Sequence, residues 1–196
     1  MALTEQIVYF ENTAKHAENT RVVVETVGAY VKAHRIKHVV AASCTGYVGA
    51  KLAPLKKANP RLNVVAVKMA PAIDKIYDVK VNPKFVVAME AAGVTFFGGT
   101  HVLTGGADRA IRAKFQGYPP TAIVAETLYL FSQGMKVCVE IIAMAVDAGF
   151  VPEGAEVISI GGTGHGADTA IVAKAAASAN LFDLDIHRVL AMPLSK

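Results

Sequence analysis

The stretch Ile158-Ser-Ile-Gly-Gly-Thr-Gly-His-Gly-Ala-Asp168-Thr-Ala-Ile-Val172 decides how this chain is read. Its first residues form an apolar run of strand type. Gly161, Gly162, Gly164 and Gly166 then crowd a turn, and Asp168 stands ahead of a second apolar run. Asp is a favoured helix N-cap, so the pattern predicts a helix over 168–177. A strand, a glycine-rich turn and a helix start expose backbone N–H groups at a positive helix end, which suits a phosphate. Gly162, Gly164 and Ala167 also satisfy the G-x-G-x-x-G/A spacing of a dinucleotide fingerprint. A true dinucleotide fold carries that motif in its first βαβ unit, with an acid at the end of the next strand. Here the motif is late, and Asp183 and Asp185 precede the last strand, so NAD is rejected.

Working outward, the same strand-then-helix cycle recurs. Ile7–Phe10 is a short strand, and apolar residues at Val23, Val27, Tyr30 and Val31 mark a helix over 19–33. His38–Ala42 and Asn63–Val67 read as strands, with a helix over 48–57 between them. A loop runs from Pro71 through Asp74 to Asn82. Asn82-Pro83 opens a helix that Gly93 ends. Val94–Phe97 is a strand, the loop Gly98–Gly106 follows, and a helix covers 107–115. Thr121 is placed to cap a helix running to about Gln133. Gly134 interrupts, and Met135–Ala148 continues helically. Glu156–Ile160 and Ile186–Met192 are the remaining strands. Alternation of this kind predicts an α/β fold: three layers, a mainly parallel sheet and helices on both faces. The turns at 43–47, 98–106 and 161–168 all follow strands, so they collect at one sheet edge, where ligands bind in such folds. No repeat or linker divides residues 1–196, which read as a single domain.

Composition narrows the class. The 196 residues are 53% hydrophobic and 18% charged, which excludes disorder. No apolar run is long enough to span a bilayer. Met1–Lys15 shows no signal-peptide layout, so a cytoplasmic protein with no membrane partner is expected. The net charge is +4, but basic residues are scattered, and nucleic acid is not an expected partner. Cys44 and Cys138 belong to no C-x-x-C pair and no metal pattern, so no metal is expected. A homo-oligomer stays open.

Ser43-Cys44-Thr45-Gly46-Tyr47 offers two hydroxyls and turn N–H groups that can ring a phosphate; ordinary helix capping is the alternative. Cys44 could be a thiolate activated by a helix start, although a small filler is the commoner role. His101 and Thr104 lie in the second glycine-rich loop, where a histidine can move protons or bond loop carbonyls. Lys136 and Glu140 sit four apart on a helix apolar nearly all round, as a structural ion pair or as part of a site. Asp147 reads as structural, and Asp168 as a cap.

Ser43–Gly46, Gly99–Gly105, Gln133–Gly149 and Gly161–Ala170 together resemble a family of stand-alone archaeal and bacterial proteins similar to the C-terminal α/β domain of pyruvate kinase. The resemblance covers nearly the whole chain. It implies that fold, and no pyruvate kinase activity, because the catalytic barrel has no room here. In many pyruvate kinases this domain holds fructose 1,6-bisphosphate on a Thr-x-Ser-Gly-x-Ser/Thr loop. Ser43, Thr45 and Gly46 match its first part, but Val48 stands at the last hydroxyl. Stand-alone members look like binders of flavin mononucleotide (FMN). The resemblance thus implies a phosphate-bearing ligand, FMN as cofactor, with Ser43–Tyr47 at the phosphate. Gly161, Gly162, Thr163 and Gly164 form the opposite wall, and His101, Thr104, Lys136 and Glu140 supply polar contacts. A flavin-dependent oxidoreductase, or an enzyme of a phosphorylated metabolite, is the alternative.

Overall fold

The computed structural model describes residues 6–195. The N-terminal stretch read for a signal peptide begins outside them, at Met1 to Glu5. In chain order the elements are β1 (Val8–Phe10), α1 (His16–His34), β2 (His38–Ala42), α2 (Tyr47–Ala58), β3 (Asn63–Met69), α3 (Pro71–Ile76) and α4 (Pro83–Glu90). There follow β4 (Thr95–Gly99), α5 (Ala107–Phe115), α6 (Pro120–Tyr129), α7 (Gln133–Asp147), β5 (Glu156–Gly161), β6 (Thr169–Lys174) and β7 (Asp185–Pro193). The strands form one sheet in the order β1-β7-β6-β5-β2-β3-β4. β2, β3, β4 and β5 are parallel neighbours, β1 is parallel to β7, and β6 is antiparallel to both β5 and β7. The fold is therefore α/β, with a mixed, mostly parallel sheet.

Side-chain alternation along the strands makes the layers. Val39, Ala41, Val64, Ala66, Ile158 and Ile160 point to one face and pack with Val23 and Val27 of α1, Leu52 of α2 and Met89 of α4. Val40, Val65, Val67, Val157 and Ile171 point to the other face and meet α7 through Cys138, Ile142 and Ala145. Because both faces are covered, the strands read as continuous apolar runs. α7 lies across β2, β5 and β6, and most of its residues are buried.

Four expectations are corrected. The predicted helix over 168–177 is β6, paired with β5 from Gly161↔Thr169 to Glu156↔Lys174. Thr169, Ile171 and Val172 are β-branched and buried, and the antiparallel partner takes their backbone groups. The glycine-rich turn is thus a wide hairpin loop, and no helix dipole stands behind it. Residues 71–76, expected as loop, form α3 with Pro71 at its first position. Thr121 does not cap α6; Pro119 occupies that position. Its companion break falls before Ser132, whose hydroxyl caps α7 by accepting from the Met135 N–H, so Gly134 lies inside the helix.

Candidate functional site

Every strand but β6 ends at the same sheet edge, so the loops after β1, β2, β3, β4 and β5 gather there. They enclose two clefts, not one. The larger, about 730 Å³, takes Cys44, His101, Thr104, Lys136, Glu140, Gly162 and Gly164 from the expected site. The smaller, about 530 Å³, takes Thr45 and Tyr47. Ser43, Gly46, Gly161 and Thr163 line neither. The loops 43–47 and 161–168 stand between the clefts and contribute to both.

The residues that line neither cleft hold the loops in shape. Ser43 is buried, and its hydroxyl accepts the Gly49 N–H in the first turn of α2 at 2.9 Å, but the N-cap itself is Gly46, without a side-chain cap bond, so Ser43 is not an ordinary cap. Gly46 starts α2 at φ +90°, and a Cβ there would come within 2.9 Å of Phe85 Cβ. Asp168 caps no helix. Its buried carboxylate accepts the Thr163 N–H at 2.9 Å and the Thr169 hydroxyl at 2.8 Å, closing the hairpin loop. Thr169 also meets the Ser132 hydroxyl at 3.2 Å, which ties the loop to the start of α7. Asp147 is structural: it accepts the Ser178 N–H at 2.9 Å.

At the floor of the larger cleft lies a charged network. Lys136 Nζ is 2.5 Å from Glu140 Oε2, and both side chains are almost wholly buried. Glu140 Oε1 accepts the backbone N–H groups of Leu103 at 2.9 Å and Thr104 at 3.0 Å. His101 Nδ1 lies 2.9 Å from the Thr104 carbonyl oxygen and 3.7 Å from Glu140 Oε2. The pair therefore anchors the glycine-rich loop 100–106 onto α7. A buried carboxylate is tolerated because three donors surround it. Around the mouth are Lys68, paired with Asp74 at 2.5 Å, and Arg109 and Arg112 of α5. Arg109 sits 5.9 Å from the Tyr77 ring and Arg112 5.0 Å from the Tyr118 ring. Among the described residues neither guanidinium pairs with a carboxylate.

Cys44 borders this cleft but is poorly suited to nucleophilic work. Burial, above all, pushes its thiol up from the usual range. Its alkylation by iodoacetamide at pH 7 is expected to be slower in the folded protein than in urea. Equal rates would show that the thiol is not shielded. Cys138 is raised further by complete burial and reaches the Ser159 carbonyl oxygen at 3.4 Å.

The smaller cleft differs in charge. Its lining carries His16, Lys80 and His165 and no carboxylate, although Lys80 pairs with Asp78 outside the lining at 3.6 Å, whereas the larger lining sets Asp108, Glu126 and Glu140 against Lys68, Arg109, Arg112 and Lys136. It is bordered by the first residues of α1, α2 and α4, through His16 and Ala17, Tyr47, and Asn82 with Phe85. Helix starts present positive ends and unfilled N–H groups. The Tyr47 N–H makes only a long bond, 3.4 Å, to the Thr45 hydroxyl. Tyr47 and Phe85 form an aromatic wall with centroids 5.7 Å apart, and His16 and His165 meet edge to face at 5.7 Å.

Sequence reading missed His16 of α1, Phe85 of α4 and the loop residues Lys80 and His165, which come from separate segments and share no local spacing. The usable signal was the strand-to-loop rule itself: each lies within a few residues of a carboxyl-edge loop. Arg109, Arg112 and Tyr129 of the larger cleft were missed because they lie on helices read only as cover. Among the described residues there is no helix long and apolar enough to cross a membrane, and no cluster of three or more metal-ligating side chains. No model of a known protein family matches this chain.

Proposed function

We propose that this protein binds a phosphate-bearing small molecule with a planar ring, and that the smaller cleft is the binding site. The observation that carries this reading is the meeting of helix starts, the Thr45 hydroxyl, Lys80, His16 and His165 in a lining without a carboxylate. The phosphate lies between the start of α2 and Lys80, where dipole, N–H groups and ammonium act together. The ring lies on Tyr47 and Phe85. FMN is the ligand that the resemblance to pyruvate kinase C-terminal-like domains implies, and a cytosolic location belongs to the same proposal. The expected clamp Ser43–Gly46 is narrowed to Thr45 and Tyr47, because Ser43 is buried and borders neither cleft.

Fluorescence titration with FMN and riboflavin tests this. FMN is expected to bind at least tenfold more tightly, since riboflavin lacks the phosphate. Thr45→Val should weaken FMN by about 1.5–3 kcal/mol, the value of a hydrogen bond to a charged group, which is roughly tenfold to a hundredfold. Lys80 is exposed, so the loss in Lys80→Ala should shrink as salt rises. Equal affinity for riboflavin and FMN, or no binding of either, sinks the proposal.

A further inference from the structure

The larger cleft holds an arrangement that phosphate binding next door does not use. A carbonyl oxygen can only accept, so the 2.9 Å contact between His101 Nδ1 and the Thr104 carbonyl places a proton on Nδ1. In neutral imidazole, Nε2 is then the acceptor. Among the described residues Nε2 has no partner, and the ring borders the cleft. The loop is shaped to the ring: a Cβ on Gly105, at φ +110°, would come within 3.0 Å of Nδ1. Glu140 Oε2, 3.7 Å from Nδ1, is the charge that would stabilise an imidazolium once formed.

Lys136 supplies the second part. An ammonium carries three hydrogens, and Glu140 is its only acceptor among the described residues. The side chain is 4% exposed yet borders the cleft, so its remaining hydrogens are available to a molecule lodged there. The third part is Arg109 and Arg112 at the mouth, without carboxylate partners. Tyr129 faces the same space, and burial, foremost, holds its phenol protonated beyond the usual range.

We infer that the larger cleft catalyses proton transfer at a carbon next to a carbonyl group in a small anionic substrate. His101 Nε2 takes the proton from that carbon. The C–H electron pair forms the carbon–carbon double bond, and the carbonyl π pair moves to oxygen. Lys136 Nζ holds that oxygen as its charge develops. Arg109 and Arg112 hold the anionic tail. The imidazolium returns its proton to the same carbon, giving exchange; in a substrate with a hydroxyl on that carbon, the hydroxyl proton passes to the enolate oxygen as the imidazolium protonates the former carbonyl carbon, giving isomerisation. Atoms and charge balance without a further reactant. The activity belongs to a different cleft from the proposed phosphate site and does not depend on it.

The test follows deuterium uptake from D₂O by proton NMR, using the intact chain. Dihydroxyacetone phosphate offers a phosphate tail, and 2-oxobutyrate offers a carboxylate tail. At least one is expected to exchange its α-protons a hundredfold or more faster than in buffer alone, and the faster one identifies the tail. His101→Gln should reduce that rate by 10²–10⁴-fold, the usual share of a general base. Arg112→Ala, on an exposed helix face, should raise KM with little change in kcat, which a folding defect would not do. Exchange of neither probe above the buffer rate overturns the inference, as does a folded His101→Gln that exchanges as fast as the native chain.

Discussion

Glu140→Ala is expected to destabilise the fold by about 3–5 kcal/mol, the usual cost of removing one partner of a buried ion pair. In a chain of this size that lowers Tm by roughly 10 °C. The reason lies in what stays behind. The buried Lys136 ammonium would lose its counter-charge. The N–H groups of Leu103 and Thr104 would lose their acceptor in the same step. Glu140→Gln keeps an oxygen for the two N–H groups and should cost less. Lys136→Met removes the buried cation and leaves the carboxylate with two donors, so it too should cost less than Glu140→Ala. Urea unfolding of the two single variants and of Lys136→Met/Glu140→Gln gives the coupling between them, expected at about 0.5–3 kcal/mol. A loss below 1 kcal/mol in Glu140→Ala would show that the loop 100–106 does not depend on this anchor.

The parallel half of the sheet was legible because its strands are β-branched runs, such as His38–Ala42 and Asn63–Val67, each followed by a helical period. β6 was not. Ala170, Ile171, Val172, Ala173, Ala175 and Ala176 are all buried. A strand covered on both faces gives the same continuous apolar run as a buried helix, and Asp168 supplied a false cap signal. The decision was made by β5, whose antiparallel pairing no local pattern encodes. α3 escaped because six residues hold too little periodicity to register.

The site was legible as a sheet edge but not as two clefts. In the turn after β2, Cys44 borders the larger space and its neighbour Thr45 the smaller. A motif reading treats Ser43–Tyr47 as one surface, whereas consecutive residues of an open turn face different ways. The same division runs through the hairpin loop, with Gly162 and Gly164 on one side and His165 and Gly166 on the other. Lys136 and Glu140 were legible as a pair from their i,i+4 spacing. Their attachment to loop 100–106 was not, because it crosses more than thirty residues.

Gly161→Ala is expected to cost about 3 kcal/mol or more, above the ordinary range for one added methyl in a packed core. The resemblance placed Gly161 in one wall of a ligand site. For Gly161 the close approach is internal. A Cβ there would overlap the carbonyl oxygen of Gly134 in the first turn of α7 and come within 3.1 Å of Cys138 Sγ. Backbone cannot swing aside as a flexible side chain does, so α7 would have to lift from β5. Gly134→Ala tests the same contact from the other side. Alanine gains about 1 kcal/mol in helix propensity there. Its Cβ would nevertheless overlap the Thr169 hydroxyl and lie 2.9 Å from Asp168 Oδ1. Thr169 cannot retreat, because Asp168 and Ser132 both bond it. The clash therefore outweighs the propensity gain, and a net loss of about 1–2 kcal/mol is expected. Gly164→Ala is the contrast. It meets no atom within 4 Å and bears only its left-handed backbone at φ +71°, about 1–2 kcal/mol. Urea unfolding of the three variants orders them. If Gly161→Ala loses no more than Gly164→Ala, the contact between α7 and β5 is not the reason Gly161 is a glycine.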